Sequence, residues 1–453
     1  MKYMANVIKI KKGLDINLAG KAPKVEVQVG EVHSYGVVPD FFPGFVPRLE
    51  VQVGDRVQAG SALMYHKDCP KLKLTAPVSG EIVDVKRGAK RKILYMEIKP
   101  DTTVEYKHFD VNGIAQKSNE EVMMLLGESG FLSLFRNRPY DRIIDPNVTP
   151  RDIYVTAYQS APLEGDALEL ISDDKKYLQS AIDLLSRLTI GRVYVSTKIG
   201  SSLSLTNCDI YEVDGPHPAG NASVIINKTR PINKGENVWV IGITELALLG
   251  RFLATGKVDM RRKVVFAGSR MESAGYAEVI LGADIMQLCG SKIDKNHGNV
   301  RLIDGNVLTG SQVTEDKHHL NPFHSLITAI PEGDDVHEMF GWASLSLKRY
   351  SANRTYPSAL LGKGRTYDID ARLKGGARAI IVSNEYDKVF PMDVFPEQLV
   401  KATIAFDIDK MEALGIYEVA PEDFALCEFV DTSKLELQYI VRKGLDQLFK
   451  ELN

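Results

Sequence analysis

The stretch Met123 to Arg138, Met-Met-Leu-Leu-Gly-Glu-Ser-Gly-Phe-Leu-Ser-Leu-Phe-Arg-Asn-Arg, falls where a glycine-rich loop would open a nucleotide-binding α/β domain. Such a loop brings backbone N–H groups against a pyrophosphate and needs three or more glycines close together. Gly127 and Gly130 alone stand here, and Glu128 puts negative charge where a phosphate would sit. The run predicts a closed phosphate site replaced by an aromatic, basic surface. Its candidates are Phe131, Phe135, Arg136 and Arg138, with Arg142 nearby; the arginines are expected outside any core. The competing reading is a helix N-terminus that packs Phe131, Leu134 and Phe135 inward, since i, i+3 and i+4 share one face.

Two loops could add to a site. In His33–Phe45, Tyr35, Phe41, Phe42 and Phe45 stand among prolines and glycines, which excludes a regular element. The run reads either as a loop packed on the next domain or as one wall of an apolar ligand site. Gly215-Pro216-His217-Pro218-Ala219-Gly220-Asn221 is rigid and follows a strand, where α/β sheets carry ligands. His217 there is either polar furniture of a site or simply exposed. Cys69, Cys208, Cys289 and Cys427 are too far apart for a zinc ribbon or an iron–sulfur motif. His318, His319, His324 and His337 fit no compact metal site, so no metal is expected.

The elements that must position these residues fall into a multidomain α/β plus β chain. Its 453 residues allow three or four domains. A formal net charge of -3 gives no bulk basicity for nucleic acid. No apolar run reaches the length of a membrane span, no signal core is seen, and a reducing cytosol is the simplest compartment. Residues 1–110 read as β, including an alternating strand at Val25–Val29. Val53-Gly54-Asp55-x-Val57-x-x-Gly60 followed by Ala76-Pro77-x-x-Gly80-x-Ile82 resembles the barrel-sandwich fold of biotinyl and lipoyl carriers. The carrier lysine motif is absent from Tyr65–Lys71, so this unit is expected to be an unmodified docking module.

Residues 111–260 read as a Rossmann-like α/β domain with a degraded nucleotide loop. Ser118 and Glu121 form a capping box, and Ser172 is expected to cap the helix bearing Leu178, Ile182, Leu185 and Leu188. Residues 261–329 read as a β-grasp unit that resembles the soluble-ligand-binding β-grasp (SLBB) domain. Residues 330–453 end in helices, with an amphipathic one over Leu435–Leu452.

This succession resembles the A subunit of the Na+-translocating NADH:quinone oxidoreductase, related to the C subunit of the Rnf complex and the flavin subunit of complex I. The motifs that carry it are Ile8-Lys9-Ile10-Lys11-Lys12-Gly13-Leu14-Asp15, Pro47-Arg48-Leu49-x-Val51-x-Val53-Gly54-Asp55, Gly127-x-x-Gly130 with Arg136-x-Arg138-Pro139, and Gly215–Gly220. The degraded loop at Gly127 and Gly130 then corresponds to a degraded flavin loop, and the tail to a ferredoxin-type helical domain. Laying the Rnf cluster ligands on it puts Ile380, Ser383, Tyr386, Phe390, Pro421, Phe424, Cys427 and Asp431 at the eight positions. One thiol among eight cannot hold a 4Fe–4S cluster.

The resemblance implies a peripheral subunit on the cytoplasmic face of the bacterial inner membrane. It would belong to a six-subunit translocase coupling NADH oxidation and quinone reduction to sodium export. NADH, FAD, FMN, riboflavin and iron–sulfur centres are implied in the partner subunits, and none in this chain. A quinone, ubiquinone or menaquinone, is implied as the substrate, and the membrane-embedded B subunit as the docking partner. Phe131, Phe135 and Arg138 are expected to face a quinone, with Tyr35, Phe41 and Phe42 opposite. On that basis, Arg136→Ala with Arg138→Ala should lower activity or assembly without unfolding the chain. Two alternatives stay open: a docking subunit with no quinone contact, and a soluble flavin- or NAD-binding reductase.

Overall fold

Asp152–Ala157 and Val238–Gly242 are apolar on both faces and almost wholly buried, as strands covered by helices on both sides must be. They lie at the centre of a seven-stranded sheet, ordered Asn6–Lys9, Asp209–Asp214, Val193–Lys198, Asp152–Ala157, Val238–Gly242, Arg136–Arg138, Arg142–Ile143. The first five strands are mutually parallel; Arg136–Arg138 runs antiparallel to them, and Arg142–Ile143 pairs antiparallel with Arg136–Arg138. Successive side chains face opposite sides. Ile153 and Val155 therefore join the core shared with the β domains, while Tyr154 joins the core shared with the C-terminal helices. This computed structural model describes residues 6–452 apart from Lys295, His297, residues 335–345, Asn353 and Lys363.

The N-terminal β unit is two small antiparallel sheets. One is ordered Tyr35–Val37, Ile93–Pro100, Gly80–Arg87, Arg56–Val57; the other is Pro47–Leu49, Ala62–His66, Cys69–Thr75. Gly54 takes φ +93° in the turn before Asp55, a conformation that favours glycine. The first strand of the chain lies outside these two sheets. Asn6–Lys9 pairs with Asp209–Asp214 of the large sheet. The expected strand Val25–Val29 is reduced to a single bridge at Glu26, where Val27 N–H donates to Tyr276 C=O and Tyr276 N–H donates to Val25 C=O. The first 30 or so residues instead strap the other domains together and cover the open edge of Gly275–Ile280.

That edge belongs to a five-stranded sheet, Gly275–Ile280, Arg261–Ala267, Leu326–Pro331, Val300–Asp304, Ser311–Gln312. Asp284 caps its short helix Ile285–Cys289, accepting from the N–H groups of Met286 and Gln287. The long helix Leu437–Leu452 buries Leu437, Val441, Leu445 and Leu448 as its stripe. The helix with Leu178, Ile182, Leu185 and Leu188 starts at Leu178 rather than near Ser172. A 3-10 turn, Lys175–Tyr177, takes up the intervening chain, and no side chain caps the helix. Among the described residues no helix is long and apolar enough to cross a membrane.

Candidate functional site

The capping box forms: Ser118 accepts from Glu121 N–H and Glu121 accepts from Ser118 N–H, which starts the helix Asn119–Glu128. That helix ends at the glycine pair. Gly127 and Gly130 thus sit at a helix C-terminus, not in a loop that opens a helix. A Cβ on Gly127 would lie 2.3 Å from Lys71 O, and one on Gly130, at φ +83°, 2.7 Å from Thr75 Oγ1. The two glycines are required by the close approach of strand Cys69–Thr75. Glu128 is matched by Lys73, at 3.0 Å, which also reaches Glu50. A strand of the barrel-sandwich unit covers the turn, and no phosphate could reach it there.

The aromatic, basic surface is corrected in turn. Phe131 is 1% exposed with its ring 4.8 Å from Phe252, and Phe135 is 0% exposed beside Trp239. The inward reading prevails, through a 3-10 turn, Phe131–Leu134, that follows the helix. Arg138 is 4% exposed, contrary to its placing outside the core. It donates to Glu422 Oε1 at 3.1 Å and lies 3.6 Å from Asp141. Arg142 pairs with Asp446, and Arg442 donates to the carbonyls of Tyr140 and Asp141. Arg136 donates to Phe41 O at 2.6 Å and lies over the Phe323 ring at 3.8 Å. The arginines are an internal clamp: Arg138, Arg142 and Arg442 fasten the C-terminal helices, and Arg136 fixes the Phe41 loop.

His217 is buried. Its Nδ1 lies 3.0 Å from Ser160 Oγ, its backbone N–H donates to Asp15, and its Nε2 has no partner. Burial pushes its pKa down to about 4. Ser160 Oγ also accepts from Gly220 N–H. The ends of the parallel strands are thus filled by their own loops: a Cβ on Gly220 would lie 2.1 Å from Tyr158 O.

An apolar pocket of about 60 Å³ opens where the three units meet. Val38, Phe41 and Phe42 form one wall, Leu134 another, and Met260 and Leu281 a third. Two hydroxyls line it, and both are committed: Thr75 donates to Ser129 O and Ser133 to Gly130 O. Phe41 and Phe42 are therefore at the pocket, while Phe131, Phe135, Arg136, Arg138 and His217 are not. Tyr35 lines a second cavity with Arg261 and Glu278, on the other side of its strand. Sequence reading missed Met260 and Leu281. Both lie between elements, where no period or turn motif marks them.

Among the described residues no group of three metal-ligating side chains comes together; His337 lies outside them. His324 instead pairs with Asp304 at 3.0 Å. His319 is buried against Tyr95 and His318, and neither ring nitrogen has a hydrogen-bond partner among the described residues. Burial, then the neighbouring His318, lowers its pKa to about 3. The unfolded chain therefore takes up this proton first, and stability is lost as pH falls from about 6.5 toward that value. His319→Leu removes the penalty. It should raise unfolding free energy by about 2 kcal/mol at pH 5, and by much less at pH 8. Urea denaturation at the two pH values checks this; equal effects at both would contradict it.

Fold and site define a class: a multidomain protein assembled from carrier-like, α/β and β-grasp units, with its glycine turn sealed by a neighbouring strand. Residues 8–101 match the NqrA N-terminal barrel-sandwich hybrid domain, residues 117–258 the NqrA second alpha/beta domain, and residues 264–315 the NQRA C-terminal domain. The A subunit of the Na(+)-translocating NADH-quinone reductase of Serratia proteamaculans is 34% identical over 98% of this chain and 100% of its own length. The proteins of the same name from Photorhabdus laumondii and Vibrio vulnificus are 31% and 32% identical over the same shares. The chain belongs to this family, the A subunits of Na(+)-translocating NADH-quinone reductases.

Proposed function

We propose that this chain is the peripheral subunit of a six-subunit sodium-pumping NADH:quinone reductase. It docks on the membrane-embedded B subunit from the cytoplasmic face and lends an apolar wall to the quinone site. The observation that carries this reading is the pocket at the three-unit junction. Its walls suit the ring or isoprenoid part of a quinone. Its committed hydroxyls leave the quinone carbonyls to be met by donors from the partner side.

The order of the parallel strands, with Asp152–Ala157 between Val193–Lys198 and Val238–Gly242, supports the Rossmann-like reading of the α/β unit. Its covered glycine turn supports placing the flavins elsewhere. Of the four cysteines, Cys289 and Cys427 are buried and all four are unpaired. This dispersal supports placing iron–sulfur chemistry in the partners too.

Photoreactive quinone applied to the assembled complex should label peptides containing residues 36–42 and 130–134, and excess quinone should protect them. The rival reading is docking without quinone contact. It requires the label to fall wholly on other subunits, and that result would end the proposal.

A further inference from the structure

Residues 346–382 carry eight Lys or Arg and two Asp, in a chain whose net charge is -3. Both acids are already matched. Asp368 lies 3.1 Å from Arg270, and Asp370 lies 2.6 Å from Arg372 and 3.2 Å from Lys374. Lys348, Arg354, Arg365 and Arg378 are exposed. Between them stand Leu360, 81% exposed, and Leu361, 67% exposed, with Leu373, Ile381 and Val382 also exposed.

The segment is anchored, so these side chains are held outward by a fixed frame. Tyr367 N–H donates to Asn17 O, Ala371 N–H to Pro331 O and Arg378 N–H to Ser433 O. Tyr350 packs its ring against Tyr367 and Phe429. Large exposed apolar side chains on a well-anchored frame mark a contact surface.

The composition decides what kind of contact. Protein interfaces enrich aromatic residues at their centres, together with Met and Arg, and it is the lack of exposed aromatics rather than the arginines that distinguishes this segment. Here the exposed large apolar side chains are all aliphatic, and cations are interspersed among them. Aliphatic side chains beside Lys and Arg are the pattern of surfaces that rest on anionic lipid.

We propose that residues 346–382 are a membrane-surface contact that inserts Leu360 and Leu361 among the lipids and sets Lys348, Arg354, Arg365 and Arg378 against anionic headgroups. The contact is to the bilayer itself, in addition to any docking on a protein partner, and is independent of the quinone reading.

The full-length chain should float with vesicles of phosphatidylcholine containing phosphatidylglycerol, and not with phosphatidylcholine alone. Arg365→Gln with Arg378→Gln should lower partitioning about thirtyfold, from roughly 1 kcal/mol for each charge near the surface. Binding by the parent should weaken as salt rises. Leu360→Ser with Leu361→Ser should also reduce binding, and the residual binding should keep its salt dependence. All these positions are exposed, so unchanged melting temperatures would confirm intact folding. Equal binding to neutral vesicles, or no effect of the arginine substitutions, would overturn the proposal. So would no vesicle binding by the parent combined with loss of the variants from the purified complex, which would assign the segment to a protein partner.

Discussion

Arg138→Ala should destabilise the isolated chain by about 3 kcal/mol at pH 8, the usual cost of breaking a buried ion pair from one side. Arg138 is the cation among Asp141, Glu422 and Asp423. Burial opposes ionisation of Asp141, but Arg138, Arg136 and Arg442 outweigh it and hold the carboxyl below its usual range. Asp423, 2% exposed, is raised by burial, which Arg138 only partly offsets; Glu422 keeps 43% of its side chain exposed and is raised by its partial burial and by Asp423 and Asp141 beside it. Without the guanidinium all three folded-state pKa values rise. A carboxyl raised above its unfolded value keeps its stability below the unfolded pKa and loses it as pH climbs through the folded one. Asp141 is already ionised at pH 5, so its share of the deficit is present there; the share of Glu422 and Asp423 appears as pH climbs, and the deficit should grow from pH 5 to pH 8. Urea denaturation at both values reads it directly. A deficit under 1 kcal/mol at pH 8, or one that does not change with pH, would show that the clamp is not held by charge. The same geometry adds a loss of stability to what is expected of Arg136→Ala with Arg138→Ala, because both side chains hold internal contacts. Any loss of turnover in that double variant must be separated from loss of the C-terminal helices.

Local chemistry was legible wherever one short segment decided the outcome. The Ser118–Glu121 box and the amphipathic helix Leu437–Leu452 each depend on residues close together in the chain. The units followed from strand and helix periods, and the family from several motifs together. Contacts over long sequence separation were not legible. Arg138 meets Glu422 across 284 residues, and no local pattern announces that an arginine will be neutralised so far away. Gly127 and Gly130 illustrate the same limit. Two glycines near a helix terminus signal that something comes close to the backbone, but the sequence does not say whether it is a phosphate or, as here, the strand containing Lys71 and Thr75. Phe41 and Phe42 were found because loop aromatics need a reason. The opposite wall of the pocket comes from another domain, and its residues carry no such signal.

Val38→Trp should raise the KM for quinone of the assembled complex at least tenfold, a loss of about 1.4 kcal/mol in binding. Val38 lines the pocket, is half-buried and has extended backbone, φ -109° and ψ 109°, which tryptophan adopts without strain. The indole projects from a half-buried position at the open pocket, so thermal stability should stay within a few degrees of the parent. NADH oxidation with an artificial electron acceptor should be unchanged, because no redox centre is assigned to this chain. The walls sharpen the test. With Thr75 and Ser133 committed to backbone carbonyls, the pocket offers apolar contact and no free side-chain hydroxyl. If it receives the isoprenoid part of the substrate, the tenfold effect should vanish with a quinone lacking a tail. If it receives the ring, tailed and tailless quinones should suffer alike. An unchanged KM with both would mean that the cavity between the three units is a packing gap, and the chain would then act by docking alone.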